Sequence, residues 1–404
     1  MKVAYLAENL GTVRRPWTFS ARELMRQTGE NIGNLAFWNA ARLLFDAEPH
    51  LVGWHTRKDE IPADVAALVI PAANFIHGDI TLTPLVKLVR TLDRPVFLLG
   101  IGAQAEREDE PPAPGPGVLE FLQEVSARTP TICVRGEFTR QICEGLGIGN
   151  TEVLGCPSIL TNPDPNLGRT LAARIARVGD GPVSVAAACV KGQLRNVERE
   201  LLRLVQLRPG SGYVVQRPIE FIKTICGEEL TEQEAADFQR AAAFYDLPGG
   251  RAALASFLRI AGYVPDSVDS WLHWQQRFSA SVNTRIHGTI MSVMAGVPAI
   301  CIGHDTRTTE LAKRLQLPLL SIQGFISSRY SLRDQFAESG FSGEAFDQNR
   351  AETAAAYARI LSQIGLPPSR HLLSLAAASA APERGTALRA ATGGGSGVTL
   401  ASVP

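Results

Sequence analysis

The chain has no surplus of either charge: forty Lys and Arg stand against forty Asp and Glu in 404 residues, a formal net charge of zero. Nothing global therefore draws it to nucleic acid or anionic lipid, and only local basic clusters remain to be read. No apolar run approaches the ~18–20 residues a membrane-spanning helix needs. The opening Met-Lys-Val-Ala-Tyr-Leu-Ala is interrupted by Glu8 too soon for a signal peptide. The six cysteines (Cys133, Cys143, Cys156, Cys189, Cys226, Cys301) include no Cys-x-x-Cys pair, and most lie in apolar, strand-like segments. Buried free thiols in a reducing compartment fit that pattern better than disulfides or zinc. The seven histidines show no ligand spacing and no Asp-x-Asp occurs, so no metal and no other cofactor is expected. The expectation is a soluble cytoplasmic protein with no transmembrane segment and no nucleic-acid partner.

What is present reads as two domains. The length exceeds what one core usually supports, while 45% hydrophobic and 20% charged residues are ordinary for a globular chain. Short apolar segments at 3–7, 51–54, 66–70, 95–102, 131–134 and 152–156 alternate with helix-period pieces at 83–92, 118–127 and 137–146. Such alternation means a parallel sheet covered by helices on both faces. Thr161-Asn162-Pro163-Asp164-Pro165-Asn166 reads as a boundary, after which strands at 182–189 and 212–216 open a second α/β series. The expected division is 1–165, 166–348, a closing helix at 349–365, and a disordered Ala-, Gly- and Ser-rich tail at 376–404. An acidic, proline-rich solvated loop is expected at 106–117.

The most informative stretch is 279–310. Strand-like pieces at 279–282 and 299–303 flank a segment whose Ile290, Val293 and Met294 repeat at helical spacing. Gly296-Val297-Pro298 stops the helix and starts the next strand, and no charge occurs between Gly288 and Gly303. Arg285, His287, His304, Asp305, Arg307 and Glu310 all fall in the segments that follow the strands, the edge where open α/β sheets bind ligands. Lys191 and Arg217 also come just past strand ends, and Arg135 follows the 131–134 strand.

In the first half, the connection from about 8 to 30 is far longer than the ~2–6 residues usual after a strand. It carries Arg14, Arg15, Trp17, Arg22 and Arg26. It reads either as a surface excursion with a short helix at 20–27 or as a lid whose arginines meet anions and whose aromatics meet a sugar face. Asn31, Gly33 and Asn34 form a turn at a helix start, where free backbone N–H groups can hold a negative charge. Asn74, His77 and Gln104 sit on polar strand tips. Gly100 and Gly102 make no dinucleotide fingerprint, since the third glycine and the later acidic residue are missing.

Two α/β domains facing across a cleft suggest the GT-B-like architecture of paired Rossmann-like, doubly wound sheets. Thr284-Arg285-Ile286-His287-Gly288, Met294-Ala295-Gly296-Val297-Pro298 and Asp305-Thr306-Arg307 together resemble the C-terminal signature of the polysaccharide pyruvyl transferase family. Asn31-Ile32-Gly33-Asn34 is similar to its Asn-x-Gly-Asp, with Asn34 where Asp is usual. Cys133-Val134-Arg135-Gly136-Glu137 is similar to its Val-Arg-Asp/Glu element, with Gly136 lacking a carboxylate. Val153-Leu154-Gly155-Cys156-Pro157-Ser158 resembles the turn closing its first half, and Ala72-Ala73 stands where Gly-Gly is common. The resemblance, over roughly 28–320, implies a transferase moving a pyruvyl group from phosphoenolpyruvate to a sugar and forming a ketal across two hydroxyls. Arg135, Arg285, Lys191, Arg217 and Arg307 are the candidates for gripping the donor, because guanidinium forks suit phosphate and carboxylate. His287 is the candidate general acid/base, beside Arg285. Asn31, Gly33, Asn34, Asn74, His77, Gln104, Arg14 and Trp17 are the acceptor-side candidates, for a sugar, glycan or lipid-linked saccharide. Two other functions are expected to compete: a GT-B nucleotide-sugar glycosyltransferase and a catalytically silent sugar-binding relative. Self-association is left open.

Overall fold

Short runs of branched and small apolar residues separated by helices can pair only in parallel, through crossover connections. The computed structural model describes residues 1–105, 112–327 and 331–380. In the first half β1 (Lys2–Leu6), β2 (Glu48–Val52), β3 (Val65–Pro71) and β4 (Val96–Leu99) lie in the order β2-β1-β3-β4, all parallel. β5 (Ile132–Val134) and β6 (Thr151–Val153) pair with each other and extend this sheet, since Ile101 just past β4 bridges Val134 in parallel. In the second half β7 (Val183–Ala186), β8 (Gly212–Val214), β9 (Gly262–Tyr263), β10 (Ala280–Asn283), β11 (Ala299–Gly303) and β12 (Leu319–Ser321) are ordered β12-β11-β10-β7-β8-β9, again all parallel. Counted within that half, this is the 3-2-1-4-5-6 order of a Rossmann sheet. The fold is thus two Rossmann-like, doubly wound halves in a GT-B-like arrangement.

Each sheet reverses its winding once, between β1 and β3 in the first half and between β7 and β10 in the second. Loops on either side of such a point leave in opposite directions, which opens a crevice at the carboxyl ends of the strands. The strands themselves are buried on both faces, as the uninterrupted burial of β7, β10 and most of β11 records.

The halves exchange segments. After β1 the chain crosses to the second half, where Thr12 bridges Ser267 and the Ala21–Gln27 helix packs on Ile219–Cys226. Val13, Ala21, Leu24 and Met25 join the core around the second sheet. The helix Gly343–Gln363 returns to the first half, where Tyr357 meets Phe97 edge-on. This helix begins at Gly343, six residues before the expected start at 349, because Ser342 caps it by accepting from the Ala345 amide. Buried Arg350 on it donates to the carbonyls of Ile159, Asn162 and Asp164, tying it to the connection between the halves. The helix Arg370–Ala376 and a turn at Ala377–Ala380 occupy the start of the expected tail, because Leu372 and Leu375 are buried in the first half's core. The rest of that tail, 381–404, and part of the expected loop, 106–111, lie outside the described residues. Among the described residues no helix is long and apolar enough to cross a membrane. All six cysteines are free, and all but Cys226 are buried.

Candidate active site

The second half's crevice is built by the loops after β7 and β10. Glu198, fully buried on the helix Arg195–Leu207, accepts from the amides of Ala188 and Cys189 after β7 and from Thr284 Oγ1 after β10, at 2.8–3.1 Å. The Tyr245 hydroxyl donates to it at 3.0 Å. One carboxylate therefore pins both lips. Ala188 is held with φ of 67°, a left-handed conformation that alanine adopts only under such constraint. Arg285, half-buried, donates from Nε to the Ala187 carbonyl at 3.1 Å and from Nη2 to the Ala188 carbonyl at 2.8 Å. Its head is thereby fixed on the β7 lip.

His287 opens the helix Ile286–Met294 and lies in the seam between the halves, only 7% exposed. Its Nε2 is 3.8 Å from Cys156 Sγ, and its ring lies 5.7 Å from that of Phe37, both in the first half. Burial first, and then the charges of Arg135 and Arg307, lower its pKa to about 3. The imidazole is neutral at physiological pH, and the main cause is desolvation. Gly33 of the first half closes on it. A Cβ there would sit 2.6 Å from Gln216 Oε1 and 3.0 Å from His287 Nδ1, so only glycine allows this approach. Gln216, also buried, has an Nε2 without a hydrogen-bond partner among the described residues.

More cations gather after β11. Asp305 caps the helix Thr306–Arg314 by accepting from the Thr308 amide at 2.8 Å, and its other oxygen lies 3.6 Å from Arg307 and 3.7 Å from His304. Burial raises the Asp305 carboxyl, but Arg307, His304 and Thr308 outweigh it and hold its pKa low. His304 is lowered by burial, against the pull of Asp305. Lys191 is exposed, and its charge acts on both His304 and Cys189. Arg217 reaches solvent, yet desolvation and then Arg285 lower its pKa. Arg285, Arg217, Arg307 and Lys191 thus share one rim.

The first half presents a different surface to this rim. Arg135, expected as an open fork, is 4% exposed and already bonded: Nε to the Gly100 carbonyl, Nη1 to Asn74 Oδ1 and Nη2 to the Ala72 carbonyl, at 2.7–3.2 Å. It holds the ends of β3 and β4 together and contributes its charge through the seam. Asn74 passes the contact on to Gln104 at 3.1 Å, while His77 stays local, accepting from the Asp79 amide. Gly136 is explained by Glu310. A Cβ at 136 would lie 1.9 Å from Glu310 Cγ, and Glu310 Oε1 accepts from Thr139 at 2.9 Å. The carboxylate absent from position 136 is thus supplied to that spot by the opposite half.

The turn at 31–34 does not leave amides free for an anion. The Gly33 amide donates to Asn31 Oδ1 and the Asn34 amide to the Asn31 carbonyl. Asn34 donates from its side chain to the carbonyls of Thr28 and Gly29, at 2.9 and 3.2 Å, a pairing that a carboxylate could not make. The long connection after β1 is a strap lying on the second half: Arg22 pairs with Glu234 at 2.8 Å, and Glu228 accepts from the Ala21 amide. Arg14 and Trp17 are exposed on it. Sequence reasoning missed Glu198 and Gln216. Glu198 had a readable signal, since it shares the apolar stripe of its helix with Leu201, Leu202 and Val205.

The sequence model of the family described as "Polysaccharide pyruvyl transferase" matches residues 31–306. No curated protein matches the chain. Solved structures similar to it include a co-structure of S. aureus MnaA with UDP, at 12% identity and a TM-score of 0.43, covering 91% of this chain and 99% of that one. A putative UDP-N-acetylglucosamine 2-epimerase from Listeria monocytogenes is similar at 11% identity and 0.40, covering 89% and 97%. The UDP-GlcNAc 2-epimerase of Methanocaldococcus jannaschii, in complex with UDP-GlcNAc and UDP, is similar at 11% and 0.38, covering 84% and 92%.

Proposed function

The chain belongs to the polysaccharide pyruvyl transferase family, and from that premise we propose that it moves a pyruvyl group from phosphoenolpyruvate to a saccharide in the cytoplasm, forming a ketal. The observation that carries the donor assignment is the rim itself: Arg285, Arg307, Arg217 and Lys191 converge at the β7/β10 crevice beside a neutral His287. Phosphoenolpyruvate brings a carboxylate and a phosphate, and cations in fixed positions suit both. Arg285 is held on the β7 lip by two carbonyls, so it is preorganised for an anion.

The reaction adds two hydroxyls across one carbon. The first hydroxyl attacks the enol carbon, the methylene gains a proton to become methyl, and the second hydroxyl then displaces phosphate. Each hydroxyl loses its proton: one proton ends on the methyl carbon and the other leaves with the phosphate. A neutral imidazole can accept one, and the incoming dianion would raise its pKa, so that the same group can return the proton to carbon. Loss of a positioned acid/base typically costs ~10²–10⁴ in rate.

The test combines ligand binding with turnover. Phosphoenolpyruvate should raise the melting temperature, and His287→Ala should cut phosphate release in the presence of acceptor by at least about a hundredfold. A variant within a few-fold of wild type would remove His287 from the chemistry. Stabilisation by a nucleoside diphosphate instead of phosphoenolpyruvate would favour glycosyl transfer.

A further inference from the structure

The first half has a crevice of its own. Between the ends of β1 and β3, at the place where that sheet reverses, lies a cavity of about 200 Å³. Its walls carry the rings of Phe37, Trp38, Trp54 and Phe75 together with Glu8 and Asn34, and among the described residues Glu8 is the only ionisable group lining it. Trp54 meets Phe75 edge-on, with centroids 5.6 Å apart. Two further spaces, of about 490 and 410 Å³, open outward from it. Trp54 borders all three, and Glu8 also borders the second. The side chain of Asn34 uses its N–H groups on Thr28 and Gly29, which leaves its oxygen to accept.

We infer that this crevice binds saccharide, with one pyranose in the inner chamber and further units running out past Trp54. Apolar ring faces suit the C–H face of a sugar, while a carboxylate and an amide oxygen suit two hydroxyl donors. In the inner chamber a phosphate or nucleotide would meet the wrong charge at Glu8, and a purely apolar ligand would bury that carboxylate unpaired. The inner chamber also borders the seam: its wall residue Phe37 lies 5.7 Å from the His287 ring, and Asn34 follows Gly33, which packs on that imidazole. A sugar here would bring its hydroxyls toward the donor rim. Only this last role, as acceptor, rests on the pyruvyl-transfer reading; the binding does not.

The full-length protein should be titrated with matched di- and tetrasaccharides of glucose, galactose, mannose and N-acetylglucosamine, read by ligand-observed NMR. At least one series should bind, with the tetrasaccharide tighter than the disaccharide. Trp54→Ala and Glu8→Gln should each weaken it by about tenfold or more. The rise in melting temperature with phosphoenolpyruvate should persist in both variants and so report an intact fold. Absence of binding by every series, or wild-type binding by both variants, overturns the inference. Saccharide binding without any phosphoenolpyruvate response overturns the transfer reading and leaves the groove standing.

Discussion

Lowering the pH from 7 to 5 should destabilise this protein in a way that depends on one side chain. His287 has an ordinary pKa of 6.5 when the chain is unfolded and one of about 3 in the folded seam. Between those values the unfolded chain holds a proton that the native state refuses, so stability is present above pH 6.5 and is lost as the pH falls toward 3. Each pH unit in that window is worth about 1.4 kcal/mol, and the loss from pH 7 to pH 5 comes to roughly 2 kcal/mol. The cause is burial first and the charges of Arg135 and Arg307 second. Urea unfolding of wild type and His287→Gln at both pH values isolates the effect. His304 is lowered in the same sense and is common to both proteins, while Glu234, held at about 2, titrates below the window. Wild type should lose roughly 2 kcal/mol more than the variant. Phosphoenolpyruvate should shrink the difference, because a dianion next to the imidazole supports its charged form. Parallel losses in the two proteins would refute the neutral, desolvated imidazole and with it the proposed base. A difference that phosphoenolpyruvate leaves untouched would place the donor elsewhere.

Three further outcomes follow from packing and hydrogen bonds. Gly33→Ala puts a methyl 2.6 Å from Gln216 Oε1; turnover should fall at least about tenfold while urea stability changes by less than about 2 kcal/mol, as one methyl at the seam displaces the imidazole without emptying a core. Gly136→Ala collides with Glu310, and unfolding should cost about 1–3 kcal/mol more than for wild type. Adding Glu310→Ala should recover part of that cost, whereas simple additivity of the two losses would rule out the collision. Glu198→Gln swaps an acceptor of five hydrogen bonds for an amide that turns N–H groups toward donors. A loss of about 2–4 kcal/mol in urea unfolding, with a weakened response to phosphoenolpyruvate, is expected, and an unchanged response would separate Glu198 from the donor rim.

Much of the scaffold was legible because it is periodic. The strand at 299–303 and the helix at 83–92 fall where pattern and punctuation placed them, since Gly296 and Pro298 break the chain and Leu85, Val86, Leu88 and Val89 mark one buried face. Segments defined by distant partners were less legible. β9 is two residues long and exists only as the partner of β8; the helix expected at 20–27 is there, but the sequence did not show that Glu228 and Glu234, some two hundred residues away, hold it on the second half. Charge type was readable in the site but occupancy was not. Arg135 looks like a free fork in one dimension and proves to be bonded to three oxygens gathered from two strand ends and Asn74. The same limit hid the aromatic crevice, whose four rings come from three separate stretches between Phe37 and Phe75. Gly136 reads as a missing carboxylate until Glu310 is seen to fill the space.

The exchanged segments have a consequence for cooperativity. A cut at 162–166 would give one fragment lacking Phe346 and Tyr357 from its interior, and another lacking Val13, Leu24 and Met25. Neither piece would carry a complete core, so neither is expected to show a melting transition alone. The nicked pair should stay associated and melt as one body, and any swing of one half against the other must be a small slide between sheathed surfaces.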